Sequence, residues 1–287
     1  MELNIIWCLK SDTEINFSRD WILEIFSKFE IKEHFDRELN FNIRLDNSLI
    51  IVSNVSDQNR LINYLESIND INYNILHLSD EIFNHDITFY KYAKKVIRTL
   101  YSDRYTELYN TITIPVGYKS GTGKIESEKK YLFNFIGQVK SDRATMINIF
   151  KNATPNFIYL TNQWDDPKAI VNPEYSMILS GSYFTLCPRG WDGTPIESFR
   201  LSESLQCGSI PVSILDNGRD YFKLVFGDSH PFIVGDDWLD AFNKMRSITN
   251  LEDKLDEVEN WWNLFKNDLQ NKMIDLYSIK NIKENVQ

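Results

Sequence analysis

Residues 183–215 constrain the fold more than any other part of this chain. The stretch begins with an aromatic and β-branched run, residues 183–187, and ends with another, residues 210–215. Both runs are typical of buried strands. Because only one loop and one short helix fit between them, the stretch predicts a strand–helix–strand unit with parallel strands. In such a unit the loop after the first strand lies where open α/β sheets bind ligands.

The intervening helix is expected to begin near Pro195. Thr194, Pro195 and Glu197 match a capping box that has a proline at the first helical position, and Gly208 is expected to end the helix. The loop before this helix, residues 188–193, is therefore the candidate site.

The chemistry of this loop favours an anionic ligand. A helix N-terminus presents unpaired N–H groups and a positive dipole, Arg189 precedes the helix, and Arg200 lies in its second turn. Glu203 lies three residues beyond Arg200, on the same helical face. The alternative is that Arg200 and Glu203 form an ordinary surface ion pair.

The spacing of these residues resembles the donor-binding motif of the exostosin-like glycosyltransferases. The matching positions are Cys187 to Gly190, Thr194, Pro195, Ser198, Arg200, Leu201, Glu203 and Gly208 to Val212. The resemblance implies an α/β, GT-B-like fold, in which two Rossmann-like domains with parallel sheets face each other across a cleft. It also implies an inverting transfer, usually without an essential metal, from a nucleoside diphosphate sugar, with a UDP-sugar as the expected donor.

The resemblance also implies which residues bind the donor. Arg189 and Arg200 are expected to contact the donor phosphates, and Ser198 the diphosphate. Glu203 is expected to accept the ribose hydroxyls, and Gly190 and Arg143 to make further contacts with the donor. Arg143 follows an FxG pattern at residues 135–137 that also resembles the family; its alternative is a solvated arginine in a first helical turn. Residues 191–193 look like an insertion in the family pattern.

A second candidate site follows the predicted strand at residues 73–78. Ser79, Asp80 and Glu81 come directly after this strand, and an inverting transfer needs a general base to take the proton of the acceptor hydroxyl. We predict Glu81 as that base, with Asp80 next, and the HLSDE run resembles a segment of exostosin-like proteins. The alternative is that Ser79 caps a helix with an acidic first turn.

Alternating strand and helix patterns indicate how the chain is divided into domains. They predict an N-terminal Rossmann-like, acceptor-side domain at residues 1–118, a polar linker at 119–130 and a C-terminal, donor-binding domain at 131–287. Apolar residues at steps of three or four predict a long amphipathic helix at about 251–277. By the resemblance this helix crosses back to the first domain; the alternative is that it packs wholly within the second.

Composition excludes several classes of function. The chain has 287 residues and a formal net charge of −10, which disfavours a nucleic-acid binder. With no basic leader and no stretch of about 18 apolar residues, we expect a cytoplasmic protein without a transmembrane segment. Its three cysteines lack metal-type spacing and are expected to be buried. We predict no metal and no cofactor.

The expected partners are a nucleotide-sugar donor and a glycan or glycolipid acceptor. One alternative is a noncatalytic protein that binds nucleotide sugars or glycans. Another is a fucosyltransferase-like GT-B enzyme that uses a GDP-sugar. The sequence names neither the donor sugar, the acceptor nor the oligomeric state.

Overall fold

The computed structural model describes residues 1–105, 111–140, 142–163 and 166–278, and its contacts divide the chain into two compact units. Unit 1 comprises Met1–Pro115 together with the chain from Phe265 onward, and unit 2 comprises Val116–Leu264. Unit 2 is therefore inserted between two parts of unit 1.

Unit 1 is built around a parallel sheet. Its elements are β1 (Glu2–Trp7), α1 (Asp12–Ile25), β2 (Glu30–Phe35), β3 (Ser48–Val52), α2 (Gln58–Ser67), β4 (Tyr73–His77), a 3₁₀ turn (Thr88–Tyr92), β5 (Val96–Thr99) and β6 (Ile112–Ile114). The sheet order is β2-β1-β3-β4-β5-β6. The inner strands β3, β4 and β5 are buried at every position, as expected for a parallel sheet that is covered on both faces.

Local signals explain the helices and the edge strand of unit 1. Ser11 caps α1 by accepting a hydrogen bond from the backbone N–H of Glu14 at 3.2 Å, and Asp57 caps α2 in the same way. The edge strand β2 carries Glu33, which accepts hydrogen bonds from Arg19 and from the indole of Trp7. This charged edge strand was not predicted from the sequence.

Unit 2 contains a second parallel sheet. Its elements are β7 (Tyr131–Gln138), α3 (Arg143–Phe150), β8 (Asn156–Thr161), α4 (Glu174–Ser180), β9 (Ser182–Leu186), α5 (Phe199–Gln206), β10 (Ile210–Ile214), α6 (Tyr221–Phe226), β11 (Ile233–Gly235) and α7 (Trp238–Arg246). The sheet order is β11-β10-β9-β7-β8. The strand–helix–strand unit predicted for residues 183–215 is confirmed as β9, α5 and β10, and its two strands are parallel neighbours.

One long helix, α8 (Leu251–Ser278), belongs to both units, and this confirms the helix predicted from the apolar period. In unit 2 the indole of Trp262 donates to Gln206 at 3.0 Å. In unit 1 the hydroxyl of Tyr277 donates to the carbonyl of Ser48 at 2.9 Å. Among the described residues, no helix is long and apolar enough to span a membrane.

Residues 119–130, expected to be a linker, lie in unit 2 and are bound to it by hydrogen bonds. The backbone N–H groups of Gly123 and Ile125 donate to the hydroxyls of Ser176 and Ser180, and Lys129 donates to the carbonyls of Ser182 and Gly208. These bonds join the segment to α4, to the start of β9 and to the glycine that follows α5. The structure places the unit boundary after Pro115 rather than after residue 118.

Some predictions fall on residues outside the described ranges. The apolar and β-branched run at residues 109–118 predicts a strand; its first two residues lie outside these ranges, and the structure has β6 at Ile112–Ile114. The sequence also predicts a helix start at Ser141 and an acidic turn that includes Asp165, and both residues lie outside the described ranges. The three cysteines are buried and free, as predicted.

Candidate functional site

The strand order of unit 2 marks where a ligand is expected. In the sheet, β8 lies on one side of β7 and β9 lies on the other, so the order of the strands reverses at β7. In open parallel sheets, ligands bind outside the carboxyl ends of the strands at such a reversal. The segments that follow β7 and β9 include residues 139–140 and 187–198. They contain or lie close to the predicted donor-binding residues of unit 2 except Glu203, which lies within α5.

Arg143 holds the loop after β9 in place. Its side chain is 5% exposed; Nη2 donates to the carbonyls of Arg189 and Gly190 at 2.5 and 2.7 Å, and Nη1 donates to the carbonyl of Gln138 at 2.9 Å. It is thus a buried arginine rather than a solvated one. Burial, with Arg200 nearby, lowers the pKa of Arg143 to about 10.

Arg200 reaches the end of β7 from the first turns of α5. Its Nη2 donates to the carbonyl of Ile136 at 2.8 Å, and its guanidinium lies over the ring of Phe135, 5.2 Å from the centroid. A Cβ atom at Gly137 would lie 3.0 Å from Nη2 of Arg200 and 3.7 Å from Nη1 of Arg143. The glycine therefore lets two guanidinium groups approach the same point of the backbone.

Arg189 is held within the loop. Its guanidinium donates to the carbonyl of Thr194 at 3.0 Å and to Asp216 at 3.1 Å, and this ion pair is partly buried, with side-chain exposures of 18% and 16%. Asp216 belongs to the Asp216–Asn217–Gly218 turn after β10. The Asp-Asn-Gly run by itself predicts a turn, but nothing in the sequence pattern connects two residues that are 27 positions apart.

The expected start of the helix at Pro195 is wrong. The helix α5 begins at Phe199, with Ser198 as its N-cap residue. Thr194 does not cap it, because its hydroxyl donates to the carbonyl of Trp191 at 2.8 Å and closes a turn in the loop. The predicted end is confirmed, since Gly208 follows the helix with a φ of +71°.

Glu197 does not complete a capping box either. It is 4% exposed, and its Oε1 accepts a hydrogen bond from the backbone N–H of Val116 at 2.8 Å. Burial raises the pKa of Glu197 to about 8, although Val116 and the hydroxyl of Tyr221 favour the ionised form. The carboxyl group beside the start of α5 is therefore mostly neutral at pH 7.

Glu203 is buried one turn after Arg200. It is 3% exposed, and its Oε2 accepts a hydrogen bond from the hydroxyl of Tyr175 at 2.7 Å. Burial, followed by the charge of Glu203, raises the pKa of Tyr175 well above its usual value, so the hydroxyl keeps its proton and remains a donor. Both Arg200 and Glu203 are described residues, and they do not form the surface ion pair considered from the sequence.

Several buried polar atoms of this region have no hydrogen-bond partner in the protein. Among the predicted donor-binding residues they are Nε of Arg143, Oγ of Ser198, Nε of Arg200 and Oε1 of Glu203, and nearby Oδ1 of Asp142, Oε2 of Glu197 and Oγ of Ser202 are in the same situation. Buried polar groups are almost always satisfied in native proteins. Two cationic donors, one hydroxyl and one carboxylate oxygen thus remain available to a ligand that carries both an anionic group and hydroxyl groups.

In unit 1, Asp80 and Glu81 lie in different environments. Asp80 is 2% exposed; its Oδ1 accepts hydrogen bonds from the backbone N–H groups of Asn84 and His85, and its Oδ2 pairs with Arg98 at 3.2 Å. Glu81 is exposed. Ser79 has a φ of +62° and no α-helix follows it, so the alternative reading as a helix cap is wrong. Asp80 thus has a structural role that the sequence did not indicate.

No metal site is present in the described parts of the chain: no three His, Cys, Asp or Glu side chains form a group that could hold a metal ion.

Solved structures with a similar fold include sugar-transferring enzymes. An α1,3-fucosyltransferase with GDP-fucose is 14% identical, with a TM-score of 0.50 over 99% of this chain and 93% of that one. The N-terminal domain of Candida albicans trehalose-6-phosphate phosphatase is 10% identical, with a TM-score of 0.52 over 97% of each chain. A DNA-modifying β-glucosyltransferase is 11% identical, with a TM-score of 0.48 over 97% of this chain and all of the other. The likeness to the fucosyltransferase confirms the GT-B-like, two-domain α/β fold.

Sequence comparison gives a family for the second half of the chain. Among curated proteins, none matches the sequence. The family model described as "RXYLT1 C-terminal domain" matches residues 114–281. The match extends from the end of β6 through unit 2 to the end of α8, so it includes all the donor-site residues discussed above and leaves out Asp80 and Glu81. Since it spans more than half of the chain, the protein belongs to the RXYLT1 C-terminal domain family.

Proposed function

We propose that this protein is a glycosyltransferase that moves a sugar from a nucleoside diphosphate donor to a hydroxyl group of a glycan or glycolipid acceptor. The observation that carries the proposal is the set of buried, unpartnered polar atoms of Arg143, Ser198, Arg200 and Glu203 at the carboxyl ends of β7 and β9. The family match and the GT-B-like fold support the same class of enzyme.

The arginines and the start of α5 suit a diphosphate leaving group. In the transition state, negative charge develops on the diphosphate oxygen that leaves the anomeric carbon. Arg200 and the N–H groups at the N-terminus of α5 would stabilise this charge, with Ser198 as an additional donor. Arg143 adds positive charge nearby and orients the loop that carries Arg189 and Gly190. An inverting transfer from a UDP-sugar without an essential metal is the reaction we propose.

Glu203 suits the ribose of the nucleotide. Because Tyr175 already donates to Oε2, the remaining oxygen, Oε1, is the one available to accept a hydroxyl hydrogen. A carboxylate of this kind distinguishes a ribonucleotide from a deoxyribonucleotide, since the deoxy sugar leaves the buried oxygen unpaired.

The general base is proposed to come from the loop after β4. Of the two predicted carboxylates, Asp80 is buried in its ion pair with Arg98, and Glu81 is the exposed one. The variant Glu81→Gln therefore tests the carboxylate base that was predicted from the sequence, and it is included in the experiments below.

A thermal-shift panel of UDP, GDP, CDP and dTDP, with and without a chelator, tests the donor site first. A ligand at about 100 times its dissociation constant should stabilise the protein by about 2.7 kcal/mol. We expect UDP to give the largest shift and the chelator to change nothing. A preference for GDP would favour the fucosyltransferase-like alternative, and a folded protein that no nucleotide stabilises would contradict the donor site.

Variants of Arg200 and Glu203 test the roles of the residues. Arg200→Met should lower kcat/KM by about 10²- to 10³-fold, because it removes a charged donor from the developing charge. Glu203→Gln should weaken UDP binding by about 10- to 100-fold and reduce the preference for UDP over 2′-deoxy-UDP. Titration calorimetry and initial rates measure both effects.

Two exposed residues of unit 2 provide matched controls. Arg246→Met and Glu174→Gln make the same chemical changes at exposed positions of α7 and α4, and neither should alter nucleotide binding. If Arg200→Met keeps full turnover in a protein that binds UDP, Arg200 has no role in stabilising the leaving group.

A further inference from the structure

Two histidine rings meet at the carboxyl end of β4 in unit 1. His77, the last residue of β4, is 1% exposed. Its Nδ1 lies 2.6 Å from the hydroxyl of Tyr90, and its Nε2 lies 3.1 Å from Nδ1 of His85. His85 lies in the loop after β4, and its side chain is 14% exposed. Both ring nitrogens of His77 are thus engaged within the protein, while Nε2 of His85 remains for another partner.

The carboxylate of Asp80 lies close to the ring of His85. Oδ1 of Asp80 is 3.9 Å from Nδ1 of His85 and accepts the backbone N–H of His85 at 3.1 Å. Oδ2 of Asp80 pairs with Arg98, which also donates to the hydroxyl of Tyr90 at 3.2 Å. The titratable and charged groups that face the two histidine rings are therefore Asp80 from the loop, Tyr90 from the 3₁₀ turn and Arg98 from β5.

The surroundings determine which nitrogens carry hydrogen. Burial, followed by the charges of Arg98 and His85, lowers the pKa of His77 well below 6.5, so His77 is neutral and has one N–H group. Because the carboxylate of Asp80 lies 3.9 Å from Nδ1 of His85, it favours the tautomer that has the hydrogen on this nitrogen. We therefore assign the shared hydrogen to His85, which donates to Nε2 of His77. His77 then donates from Nδ1 to Tyr90, and Nε2 of His85 has a free lone pair.

We propose that His85 is the general base of the transfer, oriented by His77 and Asp80; this inference rests on the glycosyltransferase function proposed above. The acceptor oxygen forms a bond to the anomeric carbon, the bond from that carbon to the diphosphate oxygen breaks, and its electron pair leaves with the diphosphate. The acceptor proton goes to Nε2 of His85, which later releases it to water. Asp80 stabilises the imidazolium ion that forms.

His85 is better placed for this role than either predicted carboxylate. Asp80 already accepts two backbone N–H groups and pairs with a buried arginine. Glu81 is an exposed side chain of the loop, whereas His85 is oriented by a neighbouring ring and a carboxylate. A base held in one orientation contributes more to catalysis than one that must be ordered during the reaction. His85 is a catalytic residue in this proposal, and His77 is a positioning residue.

The experiment measures transfer by the full chain with UDP-glucose, UDP-N-acetylglucosamine, UDP-xylose and GDP-fucose as donors and a glycan library as acceptor. His85→Gln should lower kcat by about 10²- to 10⁴-fold and leave the thermal shift with UDP unchanged. Added imidazole should restore part of the activity of His85→Gly. His77→Asn should lower kcat less and shift the acid limb of the pH–rate profile, while His34→Gln, a histidine variant in β2, should change neither.

The pH–rate profile distinguishes His85 from Glu81. Histidine ordinarily binds its proton at a higher pH than glutamate does. We expect activity to be lost on the acid side of the profile as it is for a histidine base, at a higher pH than for a glutamate base. We also expect Glu81→Gln to retain full kcat. Full kcat in His85→Gln, or a tenfold or larger loss in Glu81→Gln alone, would overturn the assignment and leave the proposed function intact. If no nucleotide binds, or if nucleotides bind and no donor is used, both the proposed function and this assignment fail.

Discussion

At pH 8.5 the Glu197→Gln variant should be more stable than the wild-type protein, by on the order of 4 kcal/mol in the free energy of unfolding. The reason is the buried carboxyl group, whose pKa rises from an ordinary 4.5 to about 8 in the folded protein. Each pKa unit corresponds to about 1.36 kcal/mol between the two protonation states. Glutamine is uncharged and can still accept the hydrogen bond from Val116.

The direction of this change in stability with pH depends on whether the folded or the unfolded chain keeps the proton on Glu197. Between about pH 4.5 and 8, the unfolded chain has an ionised Glu197 and the folded chain has a protonated one. Stability therefore falls as pH rises through this range, and the loss is complete above it. Below pH 4.5 both states are protonated and the loss disappears. Because pH 5 is only about half a unit above this limit, the variant and the wild type should differ by less than about 1 kcal/mol there.

Urea denaturation at pH 5, 6.5 and 8.5 measures this prediction. Glu174→Gln, at an exposed position in the same unit, should show the same pH dependence as the wild type. Parallel stability profiles for Glu197→Gln and the wild type would show that Glu197 is ionised in the folded protein.

Asp80→Asn should lower the stability of the protein by about 3–5 kcal/mol, because it leaves the buried guanidinium of Arg98 without a counter-charge. Both side chains of the pair are 1% exposed. Asparagine retains one oxygen for the N–H groups of Asn84 and His85, so most of the loss should come from the missing charge. Thermal and urea denaturation of the two proteins give the difference.

The control is Asp86→Asn, at an exposed aspartate of the same loop that accepts the N–H of Thr88. We expect it to change stability by less than about 0.5 kcal/mol. A variant that combines Asp80→Asn with Arg98→Met should recover part of the loss, since it removes the uncompensated charge. If Asp80→Asn is as stable as the wild type, the buried ion pair with Arg98 does not stabilise the fold.

The fold could be predicted from local patterns to a large extent. Alternating strand and helix patterns predicted the parallel sheets, and the strand–helix–strand unit at residues 183–215 placed the candidate loop at the carboxyl end of β9. The spacing of apolar residues was also sufficient to predict α8, because the same pattern repeats over its 28 residues. Strand β2 was missed because its charged residues lie at the edge of the sheet, where burial does not select apolar side chains.

Local patterns failed where a side chain had a distant or competing partner. The Thr-Pro-x-Glu pattern predicted a helix start, but the hydroxyl of Thr194 closes a turn with Trp191 and Glu197 binds Val116. Tertiary contacts override capping propensity in such cases. The partners of Arg189 and Glu203, Asp216 and Tyr175, are 27 and 28 residues away in sequence, so only the fold brings them together.

The loop after β4 was predicted as a candidate site from its acidic run, but the contacts of its residues could not be predicted from the sequence. The role of His85 depends on its approach to His77 and Asp80, which the backbone turn at Ser79 makes possible. A positive φ at a serine is not visible in a sequence pattern.

The shared helix α8 has a consequence for the order of folding during synthesis. Unit 2 is one continuous stretch, Val116–Leu264, whereas unit 1 needs the chain from Phe265 onward. The ribosome therefore completes unit 2 before it has made the residues that provide Tyr277 and Met273 to the core of unit 1. Although domains usually fold in the order of the chain, the N-terminal unit of this protein reaches its final packing last.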